Sequence, residues 1–212
     1  MVLNQDNYYL TVTIQSRSLL SESSARSFGK SSDDRLYCLG VVYLNEIPRL
    51  PRSMFDRYVI AFLSNFSLKD IPTYVAFQDQ GQGYEPDYCH VSAKHIAQRN
   101  GGQRIHGWAL WQFSEMVLAD FHSIWRNPQG QLIDVTPPKW GESRVFFVPD
   151  PSLQITASGD EQHLFCNRSS DRDRPFYFNG QPVLDQRVSI SNKHPHLKTY
   201  CSKLGLKSTS ML

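Results

Sequence analysis

The sequence predicts an α+β fold in which a helix carrying a cysteine packs on an antiparallel sheet. A helical stretch opens at Cys89 and is stopped by Asn100-Gly101-Gly102. Short apolar strands, each closed by turn residues, follow it over 104–150. Aromatic residues make up 12% of the chain, many of them in short β-like runs.

Each element has its own signal. Residues 1–20 alternate through Tyr8, Leu10, Val12 and Ile14, as a strand does. The polar, serine-rich stretch 21–35 is a loop. YCLGVVYL at 37–44 is a buried strand, stopped by Pro48 and Pro51. Over 53–66 the spacing predicts a helix capped by Ser53, with Phe55, Tyr58, Val59 and Phe62 on one face. TYVAFQ at 73–78 is a short strand, and a glycine-rich loop leads from it to Cys89. Asp87 is the expected cap of the helix that follows. Strands are expected at 104–113, 116–125, 131–137 and 144–150. Trp108 and Trp111 should face opposite sides of the first, one in the core and one on a cleft or the surface. Trp125 reads as core packing. Beyond 150 the character changes: 157–182 reads as irregular surface chain with an aromatic cluster at 175–178, and the last ten residues as a frayed end. The expected organisation is an N-terminal part or accessory segment (1–80), a catalytic core (81–151) and an irregular C-terminal extension (152–212).

Composition limits the function classes. The 212 residues suffice for one well-buried domain, and 40% hydrophobic with 20% charged residues is globular. A net charge of +2 gives no nucleic-acid footprint. No stretch approaches the ~18 apolar residues of a membrane span. The N-terminus lacks a basic region followed by an apolar one, so a cytoplasmic protein is expected, with other export routes open. The four cysteines, Cys38, Cys89, Cys166 and Cys201, form no CxxC pair and are expected as thiols.

The residues that could carry chemistry lie in the middle of the chain. A cysteine is a nucleophile as thiolate, with an ordinary pKa near ~8.5, and a helix N-terminus or neighbouring imidazolium favours that form. Cys89 stands at a helix start, where its own N–H or that of His90 could receive an oxyanion. Downstream, His122 and Asp134 lie on two strands joined by Asn127-Pro128-Gln129-Gly130. With a five-residue loop at 126–130, Trp125 faces Gln131, and His122 stands opposite Asp134 on the same face. A four-residue loop puts the two on opposite faces. In the first case Asp134 orients His122, which takes the thiol proton and later protonates a leaving amine. Asp120, two residues before His122 on its strand face, is the alternative orienter.

A cysteine at a helix start, a histidine on a following strand and an aspartate on the next before Thr-Pro resembles the papain-like superfamily. It is most similar to the transglutaminase-like branch and its H-x-x-W…G-x-x-x-D pattern. That stretch reads His122-Ser123-Ile124-Trp125 and Gly130-Gln131-Leu132-Ile133-Asp134 here. The run from Gly107 through Thr136-Pro137 to Pro151 also resembles an uncharacterised bacterial family. The resemblance covers 84–151, about a third of the chain. It implies a papain-like or transglutaminase-like core with Cys89 as nucleophile, His122 as base and Asp134 as orienter. It also implies a glutamine shortly before the cysteine as an oxyanion donor, for which Gln82 is the nearest match.

The expected function is thiol-dependent acyl transfer from an amide through a Cys89 thioester: a peptidase, deamidase or transglutaminase. The expected partner is a protein or peptide substrate, with no nucleic acid, membrane or cofactor. Two other readings stay open. One is a non-enzymatic binding module on the same fold, with Cys89 a packing residue. The other is a small zinc protein. Against zinc, neither Cys89, His90, His95, His106 and His122 nor His194, His196 and Cys201 show known ligand spacing.

Overall fold

The computed structural model describes residues 48–113, 116–138, 141–169, 176–178, 181–183 and 185–207. The strands expected over 1–20 and 37–44, the loop between them and Cys38 lie outside the described residues, as do 208–212. The fold is mixed α+β. Its main sheet runs β1 (Thr73–Ala76), β5 (Arg144–Pro149), β2 (Gln103–Gln112), β3 (Val117–Arg126), β7 (Glu161–Ser169) and β10 (Asp185–Ser191), every neighbour antiparallel. β4 (Leu132–Ile133) adds to β3 and β6 (Thr156–Ser158) to β7. β8 (Phe176–Phe178) and β9 (Gln181–Val183) form a separate hairpin. Three helices are described: α1 (Arg57–Asn65), α2 (Cys89–Asn100) and α3 (Pro195–Lys203). None is long and apolar enough to cross a membrane.

Alternation along the strands builds two apolar layers. Trp108, Leu110, Phe121, Trp125, Phe146 and Val148 form one sheet face, against Val59 and Phe62 of α1, Val91 and Ile96 of α2, and Leu197 and Tyr200 of α3. Ala109, Trp111, Leu118, Ile124, Val145 and Phe147 cluster on the other. Trp108 and Trp111 therefore do face opposite sides, but both are buried, because both faces of β2 are covered. Trp125 packs in the first layer and donates its indole N–H to the Gly101 carbonyl.

Several local expectations shift. α1 begins after Asp56, whose carboxylate accepts from the Tyr58 N–H, while Ser53 caps only a turn by accepting from Phe55 N–H. Phe55 thus falls before the helix and is 77% exposed. Asp87 does not cap α2: it adopts left-handed backbone (φ 68°), and Tyr88 holds the cap position without a side-chain bond. The helix does stop at Gly101-Gly102. Gly102 has φ +85°, and a Cβ there would lie 2.1 Å from the Arg126 carbonyl oxygen.

The largest correction concerns the described residues of 152–212, which include strands of the main sheet and a helix. β7 and β10 enter the main sheet, and Leu164, Ile190, Leu197, Tyr200 and Cys201 join the helix-side core. Period two is present in β7, where Gln162, Leu164 and Cys166 are buried between more exposed neighbours. A glutamine at one inward position and Phe165 at a flanking one mask that period in the sequence.

Candidate active site

His122 lies mid-strand on β3, opposite Gly107 of β2. The absence of a side chain at Gly107 lets the Phe147 ring lie over the strand. A Cβ there would be 2.5 Å from that ring and 2.2 Å from the Val148 carbonyl oxygen. The rings of His122 and Phe147 meet edge-on, with centroids 6.3 Å apart.

Asp134 reaches His122 through the turn after β3. The register pairs Trp125 with Ile133 and Arg126 with Leu132, so the connection is 127–131 rather than 126–130. It still holds five residues, but the pairing is displaced by two, and Trp125 does not face Gln131. Asn127 organises the turn: its Oδ1 accepts from the N–H groups of Gln129 and Gln131. A displacement of two preserves the face of every side chain. His122 and Asp134 therefore meet as a diagonal pair, with Nε2 donating to Oδ2 over 3.1 Å.

The Asp134 carboxylate is held from several sides. Its Oδ1 accepts from Thr136 N–H at 3.0 Å. Its backbone joins the chain leaving β1, with Asp134 N–H donating to the Ala76 carbonyl at 3.0 Å and its carbonyl accepting from Gln78 N–H at 2.9 Å. Asp134 is 1% exposed. This clamp holds in place the carboxylate that bonds the ring. Asp120 lies on the same strand face, its Cα opposite Ala109 of β2 and Asn167 of β7.

Cys89, the first residue of α2, is 7% exposed. Burial alone would push the His122 pKa down. The Asp134 carboxylate and the Cys89 sulfur, by charge and by hydrogen bonds, outweigh it and hold His122 well above its ordinary 6.5. With Nε2 bonded to Asp134, Nδ1 is the ring nitrogen left for the thiol. At the helix start Val91 and Ser92 N–H both bond the Tyr88 carbonyl, so the Cys89 and His90 N–H groups lead the helix. Gln82 turns into its own loop, donating its amide to the Gln80 carbonyl, and no described contact brings it to Cys89.

A buried polar cluster behind Cys89 was not foreseen. His90 Nδ1 and His106 Nδ1 each lie 2.7 Å from Ser123 Oγ, and Ser123 is fully buried. A hydroxyl has one proton, so Ser123 donates to at most one of the two rings and accepts from at least one of them. Arg104 donates to the His90 carbonyl at 3.2 Å. Burial first, and then the charges of His106, Arg104 and His122, push the His90 pKa well below its ordinary value. Burial and Arg104 lower His106 to about 4. Period two from His122 could not reveal this cluster, because Ser123 faces the other side of β3 and its partners come from β2 and α2.

These depressed values predict acid sensitivity. Each neutral histidine contributes stability that is complete above about pH 6.5 and is lost as pH falls through its folded pKa, toward 4 for His106. The slope is at most about 1.4 kcal/mol per pH unit for each group. Urea titrations between those limits should show unfolding free energy falling with acid, and less steeply in His106→Gln. A parallel slope in the variant would remove His106 as the cause.

Among the described residues, no group of three or more His, Cys, Asp or Glu side chains is arranged to hold a metal ion. Cys89 and Cys201 are free thiols. Comparison with protein-family models, with curated proteins and with solved structures finds no match for this chain.

Proposed function

We propose that this protein is a thiol-dependent acyl-transfer enzyme acting on an amide bond of a protein or peptide, with Cys89 as nucleophile, His122 as acid and base, and Asp134 as orienter. The observation that carries the reading is the 3.1 Å bond from His122 to the Asp134 carboxylate, with the Cys89 thiol near enough to raise the pKa of the same ring. A cysteine-headed helix on an antiparallel sheet supports the finer reading of a papain-like or transglutaminase-like core. A reducing compartment such as the cytoplasm would keep the thiol available.

The chemistry follows from the positions. The Cys89 thiolate attacks the amide carbonyl carbon, and the oxygen takes the displaced electron pair next to the Cys89 and His90 N–H groups. The His122 imidazolium gives its Nδ1 proton to the amine nitrogen as the C–N bond breaks, leaving a Cys89 thioester. Water or an amine then attacks the thioester carbonyl, His122 takes the nucleophile's proton, and the thiolate leaves with the imidazolium beside it. Asp134 holds Nε2–H throughout.

Burial of Cys89 favours a second reading, a binding module that uses the same three residues for packing. Alkylation separates the two. At pH 6.5, Cys89 should react with iodoacetamide faster than Cys38, Cys166 and Cys201, because a cationic His122 lies beside it. Site mapping by mass spectrometry that shows uniform labelling, or slower labelling at Cys89, overturns the nucleophile assignment in favour of packing.

A further inference from the structure

We propose that α3 belongs to the catalytic apparatus, with Tyr200 as a positioning residue that sets Cys89; this rests on the reading of Cys89 as nucleophile. Tyr200 is 2% exposed. Its hydroxyl sits between the loop before Cys89 and the helix turn after it, 3.2 Å from Glu85 N and 2.8 Å from Ser92 Oγ. Its ring stacks on Tyr88, the residue preceding Cys89, with centroids 4.1 Å apart and planes at 20°.

Proton counting fixes the direction of this chain. Ser92 Oγ donates its single proton to the Tyr88 carbonyl at 2.9 Å. Toward Tyr200 it therefore accepts, so Tyr200 donates to Ser92 and accepts from Glu85 N–H. Glu85, Tyr200, Ser92 and Tyr88 are thus joined head to tail around the nucleophile. Burial, the largest influence on the Tyr200 hydroxyl, raises its pKa and keeps the proton this chain needs. One turn further along α3, Lys203 Nζ donates to the Gly83 carbonyl at 2.9 Å and to Glu85 Oε1 at 2.6 Å, fastening the same loop.

A phenylalanine at 200 would fill the same space and stack equally well. The hydroxyl adds orientation: it ties the Glu85 backbone before Cys89 and the Ser92 side chain after it to an element more than a hundred residues away in the chain. Misplacing a reacting atom by about 1 Å can cost roughly a hundredfold in rate, so a lost tether is readable in the thiol before it is readable in the fold.

The test uses the full chain and iodoacetamide, with labelling of Cys89, Cys166 and Cys201 followed site by site from about pH 6 to 9. Cys201, next to Tyr200 and 1% exposed, reports any undocking of α3. Tyr200→Phe should slow Cys89 roughly tenfold, most at the acid end where reactivity depends on His122, while Cys166 and Cys201 stay protected. Ser92→Ala cuts the same chain from the helix side and should act in the same direction, adding little in the double variant. An unchanged Cys89 rate and pH profile in Tyr200→Phe, alongside slowing in His122→Ala, overturns the proposal and leaves the nucleophile reading standing. If all three cysteines label faster in Tyr200→Phe, Ser92→Ala decides: the proposal stands only if it slows Cys89 with the others protected. If wild-type Cys89 labels no faster than Cys166 and Cys201 and His122→Ala changes nothing, the nucleophile reading itself fails, and this proposal with it.

Discussion

His122→Ala should cut the alkylation rate of Cys89 at pH 6.5 by roughly tenfold to a hundredfold. Without the imidazolium, the positive charge that favours the thiolate, the form that alkylates, is lost. On any amide substrate the loss should be larger, about a hundredfold to ten-thousandfold, because protonation of the leaving amine is lost as well. Cys89→Ala should abolish covalent turnover with the fold intact by circular dichroism. Asp134→Asn should fall between wild type and His122→Ala, since an orienter contributes less than the base itself.

The pH dependence has a definite sign. Asp134 and Cys89 hold the His122 pKa up against burial, so without the carboxylate burial pulls it down. In the wild type, His122 contributes stability that is complete below about pH 6.5 and fades as pH rises through its raised folded value. Asp134→Asn should therefore destabilise the protein more at pH 6 than at high pH. If Cys89 alkylates equally fast in the wild type and His122→Ala, the shared site is packing and no acyl enzyme will form.

Trp108→Ala should cost about 3–5 kcal/mol in urea unfolding, a large part of the ~5–15 kcal/mol that holds a domain together. Trp108 is fully buried and joins α1 to the sheet: its ring meets Phe62 of α1, Phe121 of β3 and Phe165 of β7. The Arg168 guanidinium lies over it, 4.5 Å from the ring centroid. Its indole N–H also donates to Asp150 Oδ2 at 3.0 Å. The alanine variant thus leaves a cavity and takes a donor from a carboxylate that is 2% exposed. Trp108→Phe keeps most of the packing and should cost roughly 1–3 kcal/mol for the lost donor. An unfolding free energy within about 1 kcal/mol of wild type in Trp108→Ala would show that the helix-side core holds without it.

Much of the central region was legible because its signals are local. Apolar spacing and paired glycines placed α2 between Cys89 and Asn100, since helix propagation and its stop depend on neighbours within about a turn. The strands that became β2, β3 and β5 were legible from apolar runs bounded by turn residues. An odd-length connection between His122 and Asp134 was enough for a shared face, and that face survived an error of two in the register.

What the sequence by itself determined was therefore periodicity and breaks, and that an odd-length connection would set His122 and Asp134 on one face. Only the tertiary structure decided which distant segments meet. It clamped Asp134 to the end of β1, drew β7 and β10 into the sheet, joined His90 and His106 through Ser123, and brought Tyr200 of α3 to the loop before Cys89. The reason is the range of the forces. Backbone sterics and helix or turn hydrogen bonds act between neighbours, so a short window of sequence reveals them. Pairing across a hundred residues is won by the summed burial and hydrogen bonding of all segments together, and a buried glutamine or tyrosine reads as polar surface until its partner is in place.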